Sequence, residues 1–325
     1  MDQQYHRTLR VGITAILLAL VFRLCAAGAP EALAQWLTQP NIAAFLIYLE
    51  TGRDVRFSPS LAVFSPKFVE SPPPAVPQPT ESAVPSFSDP EDIDLYYASN
   101  VDPDLEALLK APLEWDLCAE APTVLILSTH STESYTQLDE PYVESSAWRT
   151  LDEKYNMLSI GDRVAQLLEE AGIGVVRDRE LHDYPSYNGS YVHARASTAG
   201  YLEEYPSIRL VLDLHRDAAG DDQGQMRTRA KVDGRDSAQL MLVLGTNHDG
   251  FEDNLSLALK LHAQLESQVP GIMRPLQLRS QRFNQDLSPG ALLVEVGAAG
   301  NTHAEARLAA EKLAEAIIAL AKGTN

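Results

Sequence analysis

Past residue 120 the chain alternates short aliphatic runs with longer stretches whose apolar positions recur every three or four residues. Val124, Leu125, Ile126 and Leu127 form the first run, too short for a buried helix and bounded by polar residues, and predict a strand over 123–129. The runs at 208–214 and 291–297 are of the same kind, with weaker ones at 173–177 and 274–280. Helical spacing predicts helices over 154–171, stopped by Gly172, over 191–204, over 252–268, ended by Pro270 and Gly271, and over the alanine-rich 302–321. Segments 225–232 and 237–245, separated by Asp233-Gly234, predict a hairpin. This alternation predicts an α/β fold, a central mostly parallel or mixed sheet flanked by helices, in a single domain over 121–325.

The pattern upstream is different. Arg7 and Arg10 precede an apolar run at 11–22, which Arg23 interrupts before apolar residues resume to 29. That charge and length pattern predicts an export signal or membrane anchor over 1–29, the uncleaved anchor being preferred, with the remainder outside the cytoplasm. Residues 30–57 have the spacing of a juxtamembrane helix broken near Pro40, 58–92 are rich in proline and serine and read as a tether, and 93–120 form a lead-in with a brief helix near Leu105. A net charge of −19 over 325 residues excludes a surface built to neutralise nucleic-acid phosphates. Two cysteines, Cys25 and Cys118, exclude a disulfide framework.

Candidate chemistry gathers at the ends of the predicted strands. His130 follows the first, with Glu133 three residues on, and His215 follows the strand at 208–214. Two imidazoles and a carboxylate are the three N/O ligands of a catalytic zinc that keeps one position open, so His130, Glu133 and His215 are the candidate metal ligands. His182 is a reserve ligand and Glu153 a reserve carboxylate, and Asp213 is placed to orient a ligand histidine. Glu295, flanked by valines, would be costly as an idle carboxylate; beside a metal-activated water it would take a proton and return it to a leaving nitrogen. The segment 182–191 carries three tyrosines, a proline and Asn188-Gly189, offering flat faces and hydroxyls to a polar polymer. His182, Tyr184, Tyr187, Asn188 and Arg216 are the candidate substrate contacts.

The runs at 129–135, 182–191, 212–218 and 284–289, with Glu295-Val296-Gly297-Ala298 and Asn301-Thr302, together resemble the stage II sporulation protein P family over residues 120–321, and 45–53 resembles the segment after that family's anchor. The resemblance implies a membrane-anchored peptidoglycan hydrolase of endospore formers, related in fold to zinc-dependent N-acetylmuramoyl-L-alanine amidases. It implies cleavage of the amide between muramic acid and the stem peptide, with endopeptidase activity on cross-links, during engulfment. It also implies two partners, the lytic transglycosylase stage II sporulation protein D and the membrane protein stage II sporulation protein M, and a location in the septal or intermembrane space. By position His130 and His215 match the metal histidines and Glu295 the catalytic acid. For the metal carboxylate the local Glu133 is preferred, while the broader amidase group favours Glu153. Two other readings compete: a catalytically silent wall-binding scaffold, and a zinc carboxypeptidase acting on free stem peptides.

Overall fold

The structure is a computed structural model in which residues 93–113, 115–136, 148–221 and 224–323 are described. All of them fall in the unit Gln78–Asn325, one of two into which the chain divides. The segments expected as anchor, juxtamembrane helix and tether lie outside the described residues. Among those described, no helix is long and apolar enough to cross a membrane.

Strands β1 (Leu95–Ala98), β2 (Val124–Leu127), β3 (Val175–Arg177) and β4 (Leu210–Asp217) belong to one seven-stranded sheet, which β9 (Leu240–Gly245), β10 (Leu276–Arg279) and β11 (Ala291–Ala298) complete. The order is β1-β10-β9-β11-β4-β2-β3, parallel throughout except where β9 meets β11. Apart from this sheet, β5 (Gly220–Asp221) pairs with β6 (Gly224–Gln225), and the helices are α1 (Leu105–Lys110), α2 (Met157–Glu170), α3 (Ser190–Glu204), α4 (Phe251–Gln268) and α5 (His303–Gly323). The expected mixed sheet flanked by helices is what the chain adopts.

Strand alternation divides the sheet into two unlike faces. Leu210, Leu212 and Leu214 of β4 and Leu292, Val294 and Val296 of β11 enter the main core, with Ile160, Val164 and Leu168 of α2, Leu261 and Leu265 of α4 and Leu313 and Ile317 of α5. On the other face Val211 and Ala291 pack with Leu125, Leu127 and residues of α3, while Leu293 packs with Met241, Val243 and Phe283. Asp213, His215 and Glu295 continue that second face.

Local chemistry sets the helix ends. The Asn156 side chain accepts from Leu158 N at 3.0 Å and starts α2 three residues later than its periodicity alone predicts. Gly172, at φ +87°, turns the chain at its end, where Ile173 N bonds Leu168 O. At α5, Thr302 and Glu305 bond each other's backbone N–H in a reciprocal cap. Close packing also needs Gly290, where a Cβ would lie 1.8 Å from the carbonyl oxygen of Arg209.

Three expectations change. The turn at Asp233-Gly234 is present, but the hairpin it joins is only β7 (Ala230–Val232) with β8 (Arg235–Ser237); the later part of the predicted second arm is β9, which leaves the hairpin for the main sheet. β4 does not stop before His215, because β11 offers it a partner as far as Asp217. The stretch expected as a lead-in supplies β1 as an edge strand on β10. There Ile93, Leu109, Trp115 and Leu117 are buried in the main core, and Lys260 of α4 donates to Leu108 O at 2.6 Å. A fragment starting at residue 121 should therefore melt at least about 10 °C below one starting at residue 93, since it gives up four large buried side chains. Equal midpoints in calorimetry would show that 93–120 is not part of the folded unit.

Candidate active site

The site grows from the end of β2. Asp213, buried on β4, accepts from Thr129 N and Thr129 Oγ1, both at 2.7 Å, so a side chain takes the place of the next strand partner and β2 ends. The chain then turns, with Ser131 Oγ donating to Ser128 O and Glu133 N to His130 O, and places His130 and Glu133 over β4. The His130 and His215 rings meet edge to face with centroids 5.1 Å apart, and His215 Nδ1 lies 3.8 Å from Glu133 Oε2. His215 Nε2 is 3.0 Å from Asp213 Oδ1. In the parallel register Glu295 stands directly beside His215, with Met241 on its other side.

Burial and charge pull these groups apart electrostatically. Burial, then the neighbouring charge of His215, lowers His130 to about 3. Burial also acts against charging His215, but Asp213 foremost, with Glu133 and Glu295, outweighs it and raises the ring to about 9. Burial raises Glu295 to about 8, assisted by Glu133 and Asp217 and opposed by His215. Its Oε2 is sealed from solvent without a hydrogen-bond partner, as is His130 Nδ1. Buried polar atoms of this kind call for a missing ligand, water or ion.

Two imidazoles and a carboxylate, with His130 Nδ1 sealed and unpartnered, are donors of the kind that suit a divalent transition metal. Ligand atoms around a tetrahedral zinc lie roughly 3.3 Å from one another, and the His215–Glu133 approach of 3.8 Å is close to that. As they stand, no three His, Cys, Asp or Glu side chains among the described residues converge into a complete metal cage.

Other expected site residues are placed differently. Glu153, the reserve carboxylate, is exposed and paired with Arg179 at 2.6 Å. His182 is buried with Nε2 2.9 Å from Asp178, which also accepts from Ser197; burial disfavours its charge, but Asp178 outweighs this and raises it. Its burial leaves it without the exposure that a substrate contact needs. Arg216 is likewise no open contact: it is buried, donating to Ser134 O and Trp148 O, with Nη1 3.8 Å from Glu133 Oε1. Tyr187 does reach the centre, its ring stacked on His130 at 4.6 Å and its hydroxyl 3.2 Å from His130 Nε2. Tyr184 and Asn188 are exposed on the same loop.

The structure adds residues that local pattern did not single out. Tyr191 stacks parallel to His215 at 6.3 Å and edge-on to His130 at 5.5 Å, and burial raises its hydroxyl well above the ordinary tyrosine range. Phe283, at φ 51°, lies 6.0 Å from Tyr191 and closes the second face over Met241 and Leu293. Arg149 and Asp183 pair beside Glu133. Tyr191 belonged to the tyrosine-rich run and carried a visible signal; Arg149 carried none.

The sequence profile of the stage II sporulation protein P family matches residues 78–318, about three quarters of the chain. The chain belongs to the stage II sporulation protein P family. Stage II sporulation protein P of Bacillus subtilis (strain 168) is 29% identical over 203 residues, covering 59% of this chain and 49% of that protein, so the match spans about half the relative's length. Among solved structures, the N-acetylmuramoyl-L-alanine amidase AmiC2 of Nostoc punctiforme is 17% identical with a TM-score of 0.35, covering 62% of this chain and 96% of that one. The CwlD amidase from Clostridioides difficile, solved in complex with the GerS lipoprotein, is 14% identical with a TM-score of 0.38, covering 62% and 98%. Likeness at that level bears on neither substrate nor chemistry.

In this family member the two candidate carboxylates should differ in what they hold together. Glu133→Ala removes a buried carboxylate shared by Arg149, Arg216 and His215 and should lower the unfolding free energy of the metal-free protein by about 2–4 kcal/mol. Glu153→Ala breaks an exposed pair and should cost under about 1 kcal/mol. Urea titration of both variants checks the ranking, and equal costs would mean that Glu133 is not built into the site.

Proposed function

We propose that this member of the stage II sporulation protein P family is a membrane-anchored, zinc-dependent peptidoglycan hydrolase that cleaves the amide between N-acetylmuramic acid and the L-alanine of the stem peptide, with endopeptidase action on cross-links, during engulfment. The observation that carries the reading is the pairing of Glu295 with His215 on adjacent strands, with Glu295 Oε2 sealed and unpartnered and the carboxyl within electrostatic reach of Glu133. Family membership supports the sporulation setting. The arginines and apolar run before residue 29 support the anchor and the placement of the domain outside the cytoplasm, and stage II sporulation proteins D and M are the proposed partners.

His130, His215 and Glu133 would hold the zinc. When bound, zinc would supply Lewis-acid polarisation of the scissile carbonyl and acidify water. The residues around it do the remaining work. Asp213, fixed by Thr129, holds His215 in place, and Tyr191 and Phe283 narrow the second face and limit water. Glu295 Oε2 accepts the proton of the attacking water and delivers it to the departing L-alanine nitrogen; burial, which pushes the carboxyl above the ordinary glutamate range, helps it hold the proton between the two transfers. Exposed Tyr184, Tyr187 and Asn188 line the approach on which a glycan or stem peptide would rest.

Glu295→Gln keeps the shape and loses the proton acceptor. Zinc content should stay near that of the unmodified protein while stem-peptide release falls by about two to four powers of ten. Metal analysis and chromatography of products from purified cell wall, on one preparation, check this. Intact stems with a free L-alanine amino group are the expected product, single terminal amino acids would indicate a carboxypeptidase, and loss of zinc with activity would make Glu295 a ligand.

A further inference from the structure

Glu133 has two oxygens in unlike surroundings. Oε1 lies 3.5 Å from Arg149 Nη2 and 3.8 Å from Arg216 Nη1, whereas Oε2 lies 3.8 Å from His215 Nδ1 and takes the backbone N–H of Arg216 at 3.3 Å. The backbone builds this asymmetry. Residues 132–134 run antiparallel to 148–150, with Ser134 N bonded to Trp148 O and Thr150 N to Thr132 O, both at 2.8 Å, so Arg149 stands directly opposite Glu133. Opposed residues of such a bridge bring their side chains together on one side.

The same guanidinium reaches the aromatic loop. Arg149 Nη1 pairs with buried Asp183 and donates to Thr132 Oγ1 at 3.3 Å, and its Cζ sits 4.4 Å from the centre of the Tyr187 ring, which in turn covers His130. A planar, forked cation can hold two carboxylates and stack on an aromatic face at once; a lysine ammonium cannot. Arg149 thus touches the loop of His130 and Glu133 and the loop of Tyr187 together.

We propose that Arg149 is a positioning residue of the metal site: it pins Glu133 Oε1 so that Oε2 alone faces His215 and the ion, and it ties the aromatic loop to that arrangement. This rests on the zinc reading given above and adds to it that Glu133 binds through one oxygen, selected by a residue outside the ligand set. Arg216 assists from the β4 side, where it donates to Ser134 O and Trp148 O.

The test uses the full chain with Arg149→Met, which keeps an unbranched apolar stem, and Arg149→Lys, which keeps the charge and loses the fork. Zinc affinity is measured by competition with a chromogenic chelator, alongside the visible absorption of the cobalt-substituted protein and the urea midpoint without metal. Arg149→Met should bind zinc about 10–100-fold more weakly, and the cobalt band should weaken as Glu133 turns to offer both oxygens and the coordination number rises. Arg149→Lys should recover only part of the affinity, and it carries the comparison by itself if Arg149→Met folds poorly. Zinc affinity within twofold of the unmodified protein and an unchanged cobalt band in both variants would overturn the proposal while leaving the zinc reading intact. An unmodified protein that binds no zinc would instead overturn the zinc reading, and this proposal with it.

Discussion

Asp213 is a carboxylate in the interior of a strand, and such a group is costly to bury unless its charge is fully engaged. Thr129 gives it two hydrogen bonds and His215 sits 3.0 Å away, together holding it below the usual aspartate range despite burial. Those contacts end β2, bend the chain back across β4 and fix the ring of His215. The loop carrying His130 and Glu133 takes its position from the bend, so both halves of the candidate metal site hang on one buried acid.

A second constraint is the alternation of the strands. On β4 and β11 every other side chain enters the core shared with α2, α4 and α5, which leaves Asp213, His215, Leu293 and Glu295 on the opposite face. The parallel register then sets Glu295 against His215. Acid and imidazole so arranged move in the same direction, Glu295 to about 8 and His215 to about 9, while His130 falls to about 3. Burial works against the charge on both histidines; at His215 the acids Asp213, Glu133 and Glu295 outweigh it, whereas at His130 the charge of His215 adds to it.

The aromatic segment is attached through acids and bases of its own. Asp178 holds His182 and Ser197, Asp183 holds Thr132 and Arg149, and Asn284 donates to Tyr191 O. His182 and Arg216, which by composition look like groups meant for a substrate, are buried braces; Tyr187 and Tyr191 bring the segment to the histidines. Each charged residue here is satisfied inside the protein, so the loop is a wall of the site rather than a detached grip.

Periodicity and residue type were sufficient for the α/β class, for most strands and helices, and for singling out His130, Glu133, His215 and Glu295 as candidates, because a strand buried on both faces is aliphatic and ionisable groups stand out against it. The motifs were sufficient for the family. Strand ends, strand neighbours and side-chain partners were not legible. Whether β4 continued through His215 depended on β11, some eighty residues away; whether residues 93–98 were lead-in or sheet depended on β10; whether Glu133 or Glu153 belonged with the histidines depended on which one Arg149 and Arg216 faced and which one Arg179 held in solvent. Local sequence records what a residue is able to do, but pairing between distant segments selects the partner, and with it the burial and the charge that decide what the residue does.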